Sequence, residues 1–370
     1  MLAFGLLGLT HIYIGWRIAP QLPAPAAAAL LATLVLSAFL IPWSMTRRRI
    51  RDRAAADRWT WAGMSALGLF SMLLVLTMLR DLVLLLASPI TPAALAAPTA
   101  AAVPLLALLG VLLGLVNARR TARVKNVDVP IAGLPMALQG FTIAQISDVH
   151  VGPTVKRPYV QAIVDAVNRL GVDAVAVTGD LVDGRVADLH ADVAPLAQLR
   201  SRHGTFFVTG NHEYYSGVVD WTERLRALGL RVLHNEHVVL DHDGADLVMA
   251  GVADFGAHHF DPSHRSDPQA ALAGAPTGAG LKVLLAHQPR SASAAADAGF
   301  DVQLSGHTHG GQFWPWNLFV RLQQPFTAGL HRLRSLWVYT SRGTGYWGPP
   351  LRLGAPSEIT RLRFVAASRS

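Results

Sequence analysis

Four long apolar runs open the chain, at roughly 1–16, 25–44, 61–79 and 99–117. Each approaches the ~20 residues that cross ~30 Å of hydrocarbon. The second and fourth are the cleanest. The first is short and holds His11, which makes a signal peptide its rival. It lacks a basic leader, however, and another apolar run follows soon after. The pattern predicts an α-helical transmembrane region over 1–118 with four helices. Arg80 and Asp81 interrupt the third apolar stretch, which Leu82–Ala87 continues. An ion pair buried among helices is costly, so the pair is expected at the membrane interface.

Beyond residue 119 the periodicity changes. Short apolar runs predict strands at 141–147, 174–178, 205–209, 238–240, 247–252, 281–286, 301–304, 337–339 and 358–364. Helical spacing marks 159–170, 186–199 and 220–228. Helices alternating with β-rich runs predict an α/β domain over 119–370, its sheets flanked by helices.

Composition sharpens this division. Of 370 residues 51% are hydrophobic and only 15% charged, far too apolar for disorder. With no cysteine, disulfides, zinc–thiolate sites and cysteine nucleophiles are excluded. The formal charge of +8 is uneven: residues 1–120 carry ten Arg against three acids, whereas 121–370 carry 22 basic against 21 acidic groups and fourteen of the fifteen histidines. The polar domain is close to neutral, so no nucleic-acid partner is expected. Arg47, Arg48, Arg49, Arg51, Arg53 and Arg58 lie between the second and third runs, and Arg119, Arg120, Arg123 and Lys125 follow the fourth. The intervening 89–98 has no charge. The positive-inside rule then places both clusters and the globular domain in the cytoplasm, with Arg17 a weak dissent. The same clusters can touch anionic headgroups, making the bilayer itself a partner.

The candidate chemistry sits at repeated positions. Asp148, His150, Asp180, Asn211, His212, His287, His307 and His309 each fall just beyond an apolar strand. The carboxyl ends of strands are where ligands collect in α/β folds. Nitrogen and oxygen donors of these types suit a hard or borderline metal. Residues two apart in an extended segment point to the same side, so Asp148 and His150 can hold one ion. His307 and His309 repeat the spacing, beside Gly306, Gly310 and Gly311, which relieve crowding. Asp180 can bridge two cations through its two oxygens. Two ions ~3.5–4 Å apart can hold a hydroxide and grip a phosphate at once, which is a phosphoester hydrolysis site.

Taken singly, each residue has an ordinary reading. Asp148 or His150 can cap a turn, Asn211 can start a helix, and His287 can be a hydrogen-bonded core histidine. Recurrence at five strand exits is what argues for a site. Glu213 is expected to support it through hydrogen bonds. Asp183 and Asp254 are weaker candidates for its surround. His258, His259 and His264 lie in a polar loop and are expected in solvent. Ser147 and Ser305 lack the elbow motif of a nucleophile.

Asp148-Val149-His150, Gly179-Asp180, Gly210-Asn211-His212-Glu213, His287 and Gly306-His307-Thr308-His309-Gly310-Gly311-Gln312 together resemble the calcineurin-like metallophosphoesterases, and most closely their membrane-associated bacterial branch. The likeness covers roughly 126–365. It implies a four-layer α/β/β/α sandwich and two divalent metal ions, manganese or iron foremost, with zinc open. It implies that Asp148, His150, Asp180 and His309 hold the first ion and that Asp180, Asn211, His287 and His307 hold the second. Asp180 and His212 are the implied catalytic residues, the first bridging the ions and the second steadying or protonating the substrate.

The expected function is metal-dependent hydrolysis of a phosphoester by a metal-bridged hydroxide, carried out at a bacterial inner membrane by a cytoplasmic domain. A lipid-linked substrate would suit the tether. The rival reading is a non-catalytic, metal-stabilised membrane signalling or scaffold module. Trp314, Trp316, Phe319 and Val320 directly follow the last metal block, where they either pack in the core or meet lipid.

Overall fold

The computed structural model describes residues 2–46, 50, 52–87 and 92–367. Arg47, Arg48, Arg49 and Arg51 of the first basic cluster lie outside the described residues. The chain forms two compact units, one comprising Met1–Arg119 with Gly348–Leu353, the other Arg120–Trp347 with Gly354–Ser370.

The first unit is helical: α1 (Leu2–Ile18), α2 (Ala24–Met45), α3 (Arg53–Ala87) and α4 (Pro92–Arg119). Three helices, at Ala24–Met45, Arg53–Ala87 and Ala94–Arg119, are long and apolar enough to cross a membrane. The shorter α1, of 17 residues, is held by polar contacts. His11 stacks on Phe70 with ring centroids 4.1 Å apart and meets Ser37 Oγ through Nε2 at 2.8 Å. Gly348–Leu353 belongs here as well: Arg352 N donates to Gly114 O, and Asn117 Nδ2 donates to Arg352 O.

The Arg80–Asp81 pair turns toward the neighbouring helices, which satisfy both charges. Asp81 accepts from Tyr13 Oη at 2.7 Å and from Arg17 Nε and Nη2 at 2.7 and 2.8 Å. Arg80, buried, donates to Thr99 Oγ1, Ala96 O and Arg17 O. The charges satisfy one another in a half-buried cluster, with Arg17 33% and Asp81 22% exposed. The seemingly misplaced Arg17 is thereby neutralised.

The second unit holds two six-stranded sheets. The first has the order β1-β12-β2-β3-β4-β5: β1 (Arg123–Ile131), β2 (Thr142–Ile146), β3 (Ala174–Val177), β4 (Thr205–Phe207), β5 (Arg231–Val232) and β12 (Glu358–Ala366). The second has the order β10-β11-β9-β8-β7-β6: β6 (Glu236–His242), β7 (Ala245–Gly251), β8 (Leu281–Leu285), β9 (Val302–Ser305), β10 (Gly329–Leu333) and β11 (Leu336–Thr340). β2–β5 run parallel, as do β7, β8, β9 and β11.

Period-2 alternation decides the layers. Ile143, Ala174, Ala176 and Phe206 of the first sheet meet Leu247, Met249, Val283, Leu285 and Leu304 of the second in one buried core. The intervening Val248, Ala250 and Leu284 point outward to Ala271 of α9 (Pro268–Ala271) and to Ala292 and Ala295 of α10 (Ala292–Ala298). On the far side lie α5 (Arg157–Asn168), α6 (Val186–Val193), α7 (Asn211–Ser216) and α8 (Val218–Ala227). The unit is an α/β/β/α sandwich. The helix expected over 186–199 stops at Val193, and a 3₁₀ turn containing Pro195 follows, since proline cannot continue the hydrogen-bond ladder.

Candidate metal centre

The loops leaving β2, β3 and β4 in one sheet and β8 and β9 in the other converge. They bring Asp148 and His150, Asp180, Asn211 and His212, His287, and His307 and His309 to one place. Three groups each put one ligand atom per residue within 4.8 Å of one another: Asp148, His150 and His309; His150, Asp180 and His212; and Asp180, His287 and His307. Asp180 and His150 recur between groups, so the site is continuous.

Backbone conformation marks the same residues. Among the described residues, nine other than glycine have positive φ, and Asp148, His150, Asp180, His307 and His309 are five of them, at 50° to 68°. Left-handed conformations cost such residues free energy, so surrounding packing must hold them. Neighbouring loops pair to do so: Asp148 N donates to Gly179 O, His150 N to Asp180 O and His307 N to Asp148 Oδ1 at 2.9 Å. A Cβ on Gly306 would strike Asp148 Oδ2 and Ser147 Oγ, which is why only hydrogen fits there.

The donor atoms face one another as a cation site requires. His150 Nε2 lies 3.0 Å from His309 Nε2, and His287 Nε2 lies 3.2 Å from His307 Nδ1 and 3.1 Å from Asp180 Oδ2. His287 Nδ1 donates to Thr178 O at 2.8 Å, which aims Nε2 at the cluster; burial opposes charge on this ring, yet Asp180 holds its pKa well above the usual imidazole range. Asn211 Oδ1 is buried with no hydrogen-bond partner. A buried orphan acceptor amid carboxylates and imidazoles is what a cation would satisfy. The residues present therefore fit a pair of divalent ions. Burial, then His287, pushes the His307 imidazole down to about 3, leaving it neutral as a ligand must be. Burial opposes charge on Asp180, yet His287 holds its carboxyl well below the usual range.

Two supporting carboxylates complete the arrangement. Glu213, wholly buried, accepts from Asp180 N and Gly210 N through Oε2 and from Leu181 N through Oε1, at 2.7 to 3.0 Å. Burial, then Asp180, raises it to about 7. Asp183 Oδ1 accepts from His150 Nδ1 at 3.1 Å and His212 Nδ1 at 2.5 Å. Burial opposes charge on His212, but Asp183 and then Asp180 raise it to about 9.

The reading of Asp183 as a weak candidate understated it. Its signal was proximity in sequence to Asp180, which alone cannot show two imidazoles converging on it. Asp254 accepts from Gly256 N at 2.8 Å and, at 2.9 Å, from Nε2 of Gln288, the residue after His287, and is not one of the clustered donors. Ser147 and Ser305 donate to Thr178 O and Ala286 O. Of the three loop histidines only His259 is exposed. His258 and His264 are half-buried, and Tyr214 Oη lies 2.9 Å from His264 Nδ1.

A sandwich with a cluster of Asp, Asn and His at its strand ends defines a metallophosphoesterase domain. A profile of the calcineurin-like phosphoesterases matches residues 141–311. An uncharacterized metallophosphoesterase of Aquifex aeolicus is 33% identical over 239 residues, covering 64% of this chain and 89% of the relative. Two animal relatives, each described as a transmembrane protein with metallophosphoesterase domain, are similar as well. That of Bos taurus is 43% identical over 270 residues, 69% of this chain and 60% of its own length. That of Danio rerio is 40% identical over 257 residues, 67% and 59%. The chain thus spans about three fifths of the length of these two. It belongs to the calcineurin-like phosphoesterase family. Its relatives come from animals and bacteria alike, so the narrower bacterial branch does not describe them.

Proposed function

We propose that the chain hydrolyses a phosphoester at this centre. The supporting observation is the convergence of Asp148, His150, Asp180, Asn211, His287, His307 and His309 from five strand ends. Asp148, His150, Asp180 and His309 would hold one divalent ion, and Asp180, Asn211, His287 and His307 the other. Manganese or iron is favoured and zinc is the alternative. When bound, the pair supplies charge for the phosphoryl oxygens and acidifies water to a nucleophile at neutral pH.

The chain's own residues do the rest. His212, with Nδ1 tied to Asp183, presents Nε2–H toward the cluster, 3.9 Å from Asp180 Oδ2. That proton passes to the leaving oxygen as the P–O bond breaks. Asp183 keeps the ring oriented and charged. Glu213 fixes the backbone of Asp180 and Leu181, and so the carboxylate on which both ion sites depend.

The expected organisation is a four-helix membrane anchor over 1–118 and a catalytic domain over 119–370. Arg53, Arg58, Arg119 and Arg120 favour a cytoplasmic domain at a bacterial inner membrane. Covalent attachment to membrane helices favours a lipid-linked phosphoester over a freely diffusing one.

The test uses the full chain in detergent, stripped of metal and restored with Mn²⁺, Fe²⁺ or Zn²⁺ separately. It is assayed on a soluble phosphodiester and phosphomonoester beside Asp180→Asn. Restored turnover that disappears in the variant is expected. Tight binding of two ions without turnover on either ester class would favour the scaffold reading.

A further inference from the structure

Two exposed apolar groups flank the metal loop His307–Gln312 within the second unit. The first is the segment after it. Trp316, Leu318, Phe319 and Leu322 are 44%, 62%, 53% and 82% exposed. They sit on two 3₁₀ turns, Trp316–Leu318 and Val320–Leu322, seated against the loop, since a Cβ on Gly311 would strike the backbone of Asn317. The second is Trp347, 54% exposed. Gln312 clamps its backbone from both sides, donating from Nε2 to Trp347 O at 2.8 Å and accepting from Trp347 N at 2.9 Å. The Trp347 ring lies edge-on to His212 at 5.6 Å.

Such a surface in water needs a covering. The occupant is indicated by the chain itself: α4 ends at Arg119 and β1 begins at Arg123, so only residues 120–122 separate a helix able to span a bilayer from the domain. Residues of this kind, tryptophan beside aliphatic side chains, partition to the bilayer interface. We propose that Trp316, Leu318, Phe319 and Leu322 dock on the lipid surface. On the reading of the site as a phosphoesterase, Trp347 then lines the entry for an amphiphile whose apolar part stays in the membrane. The metal loop is flanked by the docking turns and the Trp347 entry, so a headgroup phosphoester reaches the site without its chains leaving the lipid.

The absence of cysteine permits single-site labelling. The full chain with Leu322→Cys, carrying an environment-sensitive fluorophore, is placed in phosphatidylcholine/phosphatidylglycerol nanodiscs. Its reduction by aqueous dithionite is compared with that of Thr277→Cys, exposed in the turn before β8 at the opposite end of the sheet. The expected result is blue-shifted emission and at least about fivefold slower reduction at 322. Equal rates overturn the docking, and so does protection that requires two chains per disc, which would place a second copy on this face. Substrate class is read separately, with an aryl phosphate bearing a long alkyl chain in the discs and the same aryl phosphate without it. The preference for the chain-bearing ester should fall about tenfold when Trp316, Leu318, Phe319 and Leu322 are all changed to Ser, with the soluble ester unaffected. A wild-type chain showing no such preference overturns the amphiphile. Turnover of neither aryl phosphate, nor of the soluble phosphodiester, defeats the phosphoesterase reading, while the label still decides the docking.

Discussion

Asp183 Oδ1 lies 2.5 Å from His212 Nδ1, the shortest way for a carboxylate to fix both the charge and the orientation of that ring. The same oxygen also takes His150 Nδ1 at 3.1 Å, so one carboxylate orients a candidate ligand and a candidate acid together. Asp183→Asn should lower kcat by about 10- to 100-fold. Metal content, measured by mass spectrometry of the purified chain, should fall as well, because His150 loses its partner. An unchanged kcat with full metal content would contradict this role.

Glu213 serves three backbone N–H groups with two oxygens. In Glu213→Gln the amide must turn an NH₂ against at least one of those donors. A buried donor left unpaired costs about 1–3 kcal/mol. The urea midpoint of the detergent-solubilised chain should drop accordingly, and activity should fall with the displaced Asp180.

Gly306→Ala forces a methyl group toward the Asp148 carboxylate. Overpacking of this kind costs about 1–3 kcal/mol. Here the yielding group is a candidate ligand, so metal affinity should weaken before global stability does. Isothermal titration with Mn²⁺ beside thermal unfolding separates the two effects.

In the helical unit, Asp81→Asn leaves Arg17 and Arg80 without their shared carboxylate. Arg80 is buried but Asp81 and Arg17 are half-buried, so the loss should exceed that of an exposed pair and stay below the about 3–5 kcal/mol of a fully buried one. Thermal unfolding in detergent should shift downward markedly. Asp128→Asn, which breaks an exposed pair with Arg363, should barely move it.

His234 provides a pH dependence remote from the metal loops. Its Nε2 is buried without a partner, and its ring lies 4.1 Å from that of His264. Burial, then His264, pushes its pKa down to about 4 from 6.5. The folded chain therefore resists protonation that the unfolded chain accepts. This group leaves stability intact above pH 6.5 and erodes it as pH falls toward 4. Denaturation at pH 8 and pH 5 should show the loss in the native chain and a smaller loss in His234→Gln.

Much of the site was legible because its chemistry is local. Asp148 and His150, or His307 and His309, carry their spacing in the chain, and each follows an apolar run that can only be a strand. The strands of the inner sheets were legible for the same reason, since uninterrupted apolar runs mark burial on both faces. β1, β5 and β10 were not foreseen. Short or charge-interrupted runs hide them: β5 has two residues, and β10 carries His331 and Arg332. The alternation of Val127, Val129 and Ile131 in β1 is broken by Pro130 and preceded by polar residues, while pairing depends on distant partners, as Arg123 of β1 with Glu358 of β12.

By itself the sequence determined that apolar helices precede an α/β domain and which side chains could bind cations, because hydrophobic period and residue type are properties of short segments. Only the tertiary structure decided that Asp183 organises two of the site's imidazoles, which backbone donors Glu213 serves, that Arg80 and Asp81 face the neighbouring helices, and that the Trp316–Leu322 turns stand exposed. Each of these depends on what lies opposite a side chain in space, and long-range packing sets that.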